Sequence, residues 1–147
     1  MPNTTMEEEQ QWKLPKETPL PAQLTAVVER EIPFKDKKTG EDRIFTKWEW
    51  EFAIIEGEFA GLSAWGDTDP KLTNHPDNKV RQWAETLRGR PFEMGEGLDT
   101  DDLLGLPCLI VVDNTTYTKK DGTVSYLTPV VDVFPTDGFV QDVEPPF

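Results

Sequence analysis

The sequence of 147 residues predicts a single, mainly β domain with one helix. Two patterns predict it: mainly apolar residues occupy every second position along Ile44–Ile54, with Thr46 as the exception, and only residues 76–88 carry apolar side chains at convincing helical spacing. The apolar fraction is only 36%, but five Trp and eight Phe are present. Since each aromatic side chain buries a large area, the chain has enough apolar surface for a core.

Three strands are predicted in the first half of the chain. Residues 23–34 alternate between apolar and polar side chains, with Val27 as an exception, and predict strand 1. Residues 43–54 predict strand 2, with Ile44, Thr46, Trp48, Trp50, Phe52 and Ile54 on its core face. A polar loop, 35–42, joins the two strands, and Phe59–Trp65 predicts strand 3.

The helix and two further strands are predicted in the second half. Pro76 suits the first helical position, Asn74 or His75 would cap the helix, and Gly89 would end it. Strand 4 is predicted at Leu106–Asp113 and strand 5 at Leu127–Phe134. The loop between them contains Asp-Gly, a hairpin signal.

Five strands with one helix between the third and fourth follow the order of an OB-fold, a small Greek-key barrel. An SH3-like barrel or another α+β sandwich is the alternative. Trp48, Trp50 and Trp83 are expected in the core, with Trp83 and Leu87 closing one end of the barrel.

The two ends of the chain differ from residues 23–134, which form the predicted OB domain. Residues 1–22 contain four prolines and no hydrophobic period, so we expect a flexible or loosely docked arm, with Trp12 and Leu14 as the residues able to pack on the body. Residues 135–147 contain three acids and no base and predict an acidic tail. Of the net charge of −13, the tail carries only −3.

The residue types argue against an enzyme and predict no cofactor or metal site. Cys108 is the only Cys and His75 the only His, and Gly95-Glu96-Gly97 lacks the lysine of a phosphate loop. Asp67 with Asp69, or the trio Asp99, Asp101 and Asp102, could hold Mg²⁺ or Ca²⁺, but these acids lack a calcium-loop spacing. Helix capping explains Asp99–Asp102 equally well. We expect no secretory signal and no membrane span, and hence a cytoplasmic protein.

The basic residues point to single-stranded nucleic acid. A net charge of −13 argues against a surface that binds nucleic acid everywhere. Residues 24–50, however, hold six bases and six acids, so this hairpin is neutral. Single-strand binding needs aromatic platforms and cations, and on a small barrel these lie on strands 2 and 3 and on the loops 1–2 and 4–5. The candidates are Lys35, Lys37, Lys38, Arg43, Phe45, Lys47, Trp65, Tyr117, Lys119 and Lys120.

The acidic tail resembles that of bacterial single-stranded-DNA-binding proteins. It ends Asp142-Val143-Glu144-Pro145-Pro146-Phe147, and the matching features are the acid, the penultimate proline and the terminal phenylalanine. The resemblance implies that Asp142, Glu144, Pro146 and Phe147 dock on replication and repair partners. The long Gly- and Gln-rich linker of those proteins is missing here.

Residues 23–134 resemble small OB-fold proteins of actinobacterial phages. The shared features are structural: Trp48-x-Trp50-x-Phe52, Gly57-x-Phe59-x-Gly61, Leu87-x-Gly89-Arg90, Gly95-Glu96 and Leu103-x-Gly105. The resemblance implies sequence-independent binding of single-stranded DNA in phage replication, recombination or repair, in the cytoplasm of a bacterial host. A net charge of −8 on this segment departs from strong DNA binders.

Two further hypotheses compete with this one. An acidic adaptor or DNA mimic that acts on a host nucleic-acid enzyme would explain the charge, and a metal-dependent hydrolase would use the aspartates named above. The sequence leaves the oligomeric state open, including a homo-oligomer.

Overall fold

The computed structural model describes residues 2–3 and 12–136, and the fold is mainly β with one α-helix. Seven strands are present in the described chain rather than the five predicted. They are β1 (Leu20–Lys35), β2 (Asp42–Ile54), β3 (Ser63–Thr68), β4 (Pro107–Val112), β5 (Thr115–Thr118), β6 (Val124–Leu127) and β7 (Val130–Phe134). The helix α1 spans Lys79–Arg88, and a 3-10 helix spans Thr100–Leu103. None of the described helices is long and apolar enough to cross a membrane.

Five strands form one antiparallel sheet in the order β3-β2-β1-β4-β7, and β5 pairs only with β6. The end strands β3 and β7 come close together at Gly66. A Cβ atom on Gly66 would lie 3.1 Å from Cβ of Val130 and 2.5 Å from Cη2 of Trp83. The two ends of this open sheet therefore approach each other across a residue that has no side chain.

The core is built around Trp83 of α1. Its ring meets Trp50 edge-on with centroids 5.5 Å apart, and Phe52 at 5.9 Å. The indole N–H of Trp50 donates to Oγ1 of Thr68 over 2.8 Å, so this buried polar group is satisfied. Of the three tryptophans expected in the core, Trp50 and Trp83 are buried. Trp48 is only half-buried and donates to a carboxylate oxygen of Glu29.

Because of a β-bulge in β1, the residues of strand 1 after Leu24 face the side opposite to the one predicted. The register shifts between Leu24 and Ala26, so the alternation changes phase there. Leu24 lies opposite the buried Phe52, but Val27 takes the core side opposite Trp50, and Val28 lies opposite Glu49 on the outside. Val27, the exception to the predicted pattern, is therefore the residue that packs against the core.

The predicted core face of strand 2 is buried only in its second half. Trp50, Phe52 and Ile54 are buried, whereas Ile44 is 64% exposed. The reason is that β3 pairs with β2 only from Trp48 onwards. Before that residue β1 and β2 continue as a two-stranded hairpin beyond the core.

Several predicted boundaries are also wrong. Strand 3 begins at Ser63 rather than Phe59, because Gly57 and Gly61 adopt positive φ angles of 85° and 94° and turn the chain between them. The helix begins at Lys79, since Asn78 and not Asn74 or His75 is the N-cap: its side chain accepts from the N–H of Arg81 over 2.8 Å.

The predicted fifth strand is divided in two. Leu127 belongs to the β5–β6 hairpin, and Thr128 and Pro129 separate it from β7. The hairpin that Asp-Gly indicates is present, with Gly122 at a φ of 87°. At the other end of the chain the sheet already starts at Leu20, and Leu14 is buried in the core.

A salt bridge holds the loop after α1. The guanidinium of Arg88 donates to both carboxylate oxygens of Glu96, at 2.8 and 3.0 Å, and the N–H of Glu93 donates to the same carboxylate at 3.0 Å. These hydrogen bonds, chiefly those from Arg88, lower the pKa of Glu96 to about 2. Because the pKa in the folded protein lies below the unfolded value, Glu96 stabilises the fold above its unfolded pKa and loses this effect as the pH falls towards 2.

We expect Gly66→Ala to destabilise the protein by about 1–3 kcal/mol, because the new methyl group overlaps the buried ring of Trp83. Urea denaturation measures the change. The matched control is Gly97→Ala, where nothing lies within 4 Å of the added Cβ atom. Equal stability of the two variants would contradict the close packing at Gly66.

We expect Glu96→Gln to be less stable than the wild type at about pH 7 and the difference to shrink as the pH falls to about 2.5. Denaturant titrations at both pH values measure the free energy of unfolding. Glu93→Gln is the control, because that exposed side chain accepts no hydrogen bond from a described residue. A difference that does not change with pH would refute the role of the Glu96 carboxylate.

Candidate nucleic-acid interface

The outer face of the sheet is the side of β1, β2 and β3 that points away from the core. In β2 it consists of the residues that alternate with the buried Trp50 and Phe52, and the strand register then fixes their neighbours. Cross-strand pairs on this face are Phe34 with Arg43, Ile32 with Phe45, Arg30 with Lys47, Val28 with Glu49, and Glu49 with Asp67. Trp65, two residues before Asp67, points to the same side.

The structure gives Phe45 two apolar neighbours that the sequence analysis missed. Ile32 lies directly opposite Phe45, and Phe34 follows two residues later on the same face. Phe45 is 47% exposed, and Ile32 and Phe34 are similarly exposed. The three side chains form an exposed apolar patch on the projecting hairpin, with Arg30, Arg43 and Lys47 around it. The sequence pattern did not reveal this patch, because the bulge in β1 moves Ile32 and Phe34 to the outer face.

The cations on the outer face are paired with carboxylates. Nζ of Lys47 lies 2.9 Å from Oδ2 of Asp67, and Arg30 pairs with Glu49. Arg43 pairs with Asp36 of the loop over 3.1 Å. Such pairs at the surface contribute little to stability, so a phosphate group competes for these cations at small cost.

The predicted loop lysines differ from the cations on the sheet. Lys35, Lys37 and Lys38 lie at the tip of the β1–β2 hairpin, and Lys119 and Lys120 at the turn of the β5–β6 hairpin. Among the described residues none of the five has an ion-pair partner. They are therefore more available to a polyanion than the paired cations of the sheet.

A groove crosses the sheet beside β3. Its first part, of about 470 Å³, lies between Trp65 and the β6–β7 connection, where Leu127, Pro129 and Val131 form an apolar wall. Its second part, of about 400 Å³, extends to Phe45 and Lys47. Asp67 and Lys79 line both parts. The groove thus connects two of the predicted aromatic residues, Phe45 and Trp65, and the latter is 38% exposed.

Lys79 is a groove residue that the sequence analysis missed. It is the first residue of α1, and its ammonium group lies 5.4 Å from the centroid of the Trp83 ring. This cation–π contact holds the ammonium group beside β3. Its sequence position gave no signal, because the contact depends on how the helix packs against the sheet.

The β5–β6 hairpin presents Tyr117, which is 60% exposed, and carries Lys119 and Lys120 in its turn. An isolated two-stranded hairpin is marginally stable in water. Trp12 supports it: the indole N–H donates to the carbonyl oxygen of Thr115 over 2.8 Å, and the ring meets Tyr126 edge-on at 5.2 Å. Trp12 and Leu14, the two arm residues expected to pack on the body, both do so.

The remaining candidates lie elsewhere. His75 accepts a hydrogen bond from the N–H of Asp77, and Asp99 caps the 3-10 helix by accepting from the N–H of Asp101, both at about 3 Å. Within the described ranges, no three His, Cys, Asp or Glu side chains are grouped so as to hold a metal ion. Burial raises the pKa of Cys108 to about 12, which makes its thiol unreactive. The tail residues Asp142, Glu144, Pro146 and Phe147 lie outside the described residues.

No protein-family model matches the sequence, and no curated protein matches it. The geometry of the chain therefore carries the functional argument.

We expect Trp12→Ala to loosen the β5–β6 hairpin, because it removes one hydrogen bond and one aromatic contact of about 1 kcal/mol each. Hydrogen exchange of the amides in β5 and β6 should become about ten-fold faster or more. Trp12→Phe, which keeps a ring but removes the N–H, should have an intermediate effect. Unchanged protection in Trp12→Ala would show that the hairpin does not need this contact.

Proposed function

We propose that the protein binds single-stranded DNA without reading its sequence, and that its domain is an OB-fold. The sheet order β3-β2-β1-β4-β7, with the only described α-helix between β3 and β4, supports this fold, because an OB-fold barrel arranges its strands and helix in the same order. The close approach of β3 and β7 at Gly66 supports it further. The β5–β6 hairpin then takes the place of the loop between the last two barrel strands.

The groove from Phe45 to Trp65 is the observation that carries the functional proposal. It crosses β2 and β3, the face on which OB-folds bind oligonucleotides. It offers an aromatic side chain at each end and the ammonium groups of Lys47 and Lys79 between them. Binding of a single strand needs this combination, because bases stack on aromatic rings and phosphates pair with cations. The lysines of the two hairpins, which have no ion-pair partner among the described residues, add cations beyond the groove.

The proposal includes a role in phage DNA replication, recombination or repair in the cytoplasm of a bacterial host. The acidic tail, with Phe147 at its end, would recruit partner proteins. The resemblances in sequence support this part, since the described residues do not include the tail.

An acidic adaptor or DNA mimic is the second candidate. The observation in its favour is that Glu49, Asp67 and Asp36 neutralise the cations of the outer face. Such a protein would not bind a single-stranded oligonucleotide at low salt, so the titration below separates the two functions.

We expect the purified protein to bind a fluorescent oligo-dT more tightly than a duplex of the same length. Anisotropy titrations at several salt concentrations measure this, and log affinity should fall with log salt by about 0.7 for each phosphate contacted. The triple variant Arg43→Ala, Phe45→Ala, Lys47→Ala should weaken binding about ten-fold or more, because it removes one stacking platform and two cations.

The matched control is Lys71→Ala, Arg90→Ala, Met94→Ala. It also removes two cations and one exposed apolar side chain, but none of the three residues lines the groove. Equal affinities of the two triple variants would refute the assignment of this face.

A further inference from the structure

We infer that the groove beside Trp65 favours bases with an exocyclic amino group over thymine, so that binding depends on base composition. The inference rests on the proposed single-strand binding and restricts its independence of sequence at one position: the base stacked on Trp65 is selected, while the rest of the strand is bound without regard to sequence. It assigns the role of acceptor to Asp67 and Glu49, two groove carboxylates that also pair with Lys47 and Arg30 and that repel the DNA backbone.

Trp65 provides the platform for one base. Its ring is partly exposed on the outer face, and the apolar wall of Leu127, Pro129 and Val131 stands across the groove from it. A space of about 470 Å³ between them accommodates a planar base with room for its sugar. Stacking alone is tolerant of sequence, because every base has a π face.

Carboxylates stand at the rim of this platform. Asp67 follows Trp65 by two residues on the same face of β3, and Glu49 lies directly opposite Asp67 on β2. The side chain of Asp67 is 54% exposed. Its Oδ2 atom accepts from Lys47 at 2.9 Å, while Oδ1 has no hydrogen-bond donor among the described residues. Lys47 thus fixes the carboxylate and leaves one oxygen available.

A fixed carboxylate discriminates between bases because it only accepts hydrogen bonds. Cytosine presents an N4 amino group at the position where thymine presents the O4 oxygen. The amino group donates to the carboxylate, whereas the thymine oxygen is repelled by it. Asp and Glu side chains recognise cytosine in this way, by accepting a hydrogen bond from its N4 amino group.

The charge balance of the groove supports this role. A groove that contacted only the DNA backbone would gain affinity from every carboxylate removed, because each one repels phosphate. This groove instead holds two carboxylates next to its stacking platform, on the strand pair that is proposed to bind the bases. Hydrogen bonding to bases gives these acids a use that offsets their repulsion of the backbone.

The test compares the affinities for oligo-dC and oligo-dT of equal length, at a pH of about 8, where cytosine is neutral. Asp67→Asn and Glu49→Gln are isosteric changes that supply a donor as well as an acceptor. Each should shift the ratio of the two affinities towards dT, by about five-fold for one lost base contact. Comparing this ratio between each variant and the wild type cancels the intrinsic difference in stacking between the two oligonucleotides.

Asp69→Asn is the matched control. Asp69 lines only the part of the groove near Phe45, so its loss removes one negative charge without touching the platform at Trp65. We expect it to raise both affinities equally and leave the ratio unchanged.

The two proposals fail in different ways. If neither oligonucleotide binds to the wild-type protein, the proposed function is overturned and this inference with it. If both bind and the ratio stays the same in Asp67→Asn and Glu49→Gln, the inference alone is overturned. A ratio that shifts equally in Asp69→Asn would also overturn it, because general charge and not an acceptor at Trp65 would then be the cause.

Discussion

The contact of Trp83 with Gly66 determines both the packing on the inner face of the sheet and the position of the groove on its outer face. On the inner side the ring of Trp83 fills the space that a side chain at position 66 would take, and it also packs on Trp50 and Phe52, so one residue joins α1 to β2 and β3. Val130 of β7 is drawn to the same point. Trp65, which precedes Gly66 on β3, points outwards because side chains alternate along a strand. Val131, which follows Val130 at a register irregularity of β7, is exposed beside the same groove. The groove between Trp65 and the β6–β7 connection therefore lies directly outside the point where β3 and β7 pack together.

The bulge in β1 has a comparable effect on the projecting hairpin. With strict alternation from Leu24, the side chains of Ile32 and Phe34 would share the inner side, and Glu29 would face outwards. The extra residue reverses this arrangement and places Ile32 and Phe34 beside Phe45. A single irregularity thus turns the outer end of the hairpin into an apolar patch, while Glu29 moves to the inner side, where its carboxylate accepts from Trp48.

Much of the fold could be predicted where the sequence pattern is local. The alternation around Trp50 predicted β2, and the left-handed C-cap at Gly89 predicted the end of α1. The bulge could not be predicted, because Val27 looks like a flaw in the alternation until its partner strand is known. Of the candidate site, Phe45 and Trp65 were predicted from their strands, whereas Lys79 and the wall at Leu127 were not. Those two reach the groove through packing between elements that are distant in sequence.

The charges divide the proposed interface into two parts with different physical roles. The lysines at the hairpin tips have no ion-pair partner among the described residues, so they are open to phosphates that come within a Debye length of about 10 Å, while the net charge of −13 repels a polyanion at larger distances. On the outer face each cation is already held by a carboxylate, as Lys47 is by Asp67, so the local field is weak. Attraction there depends on stacking and on hydrogen-bond geometry, which act only at contact. Under the proposed function, the aromatic groove makes the contacts that hold the strand and the hairpin lysines add short-range contacts to phosphates, which reconciles an acidic chain with a nucleic-acid ligand.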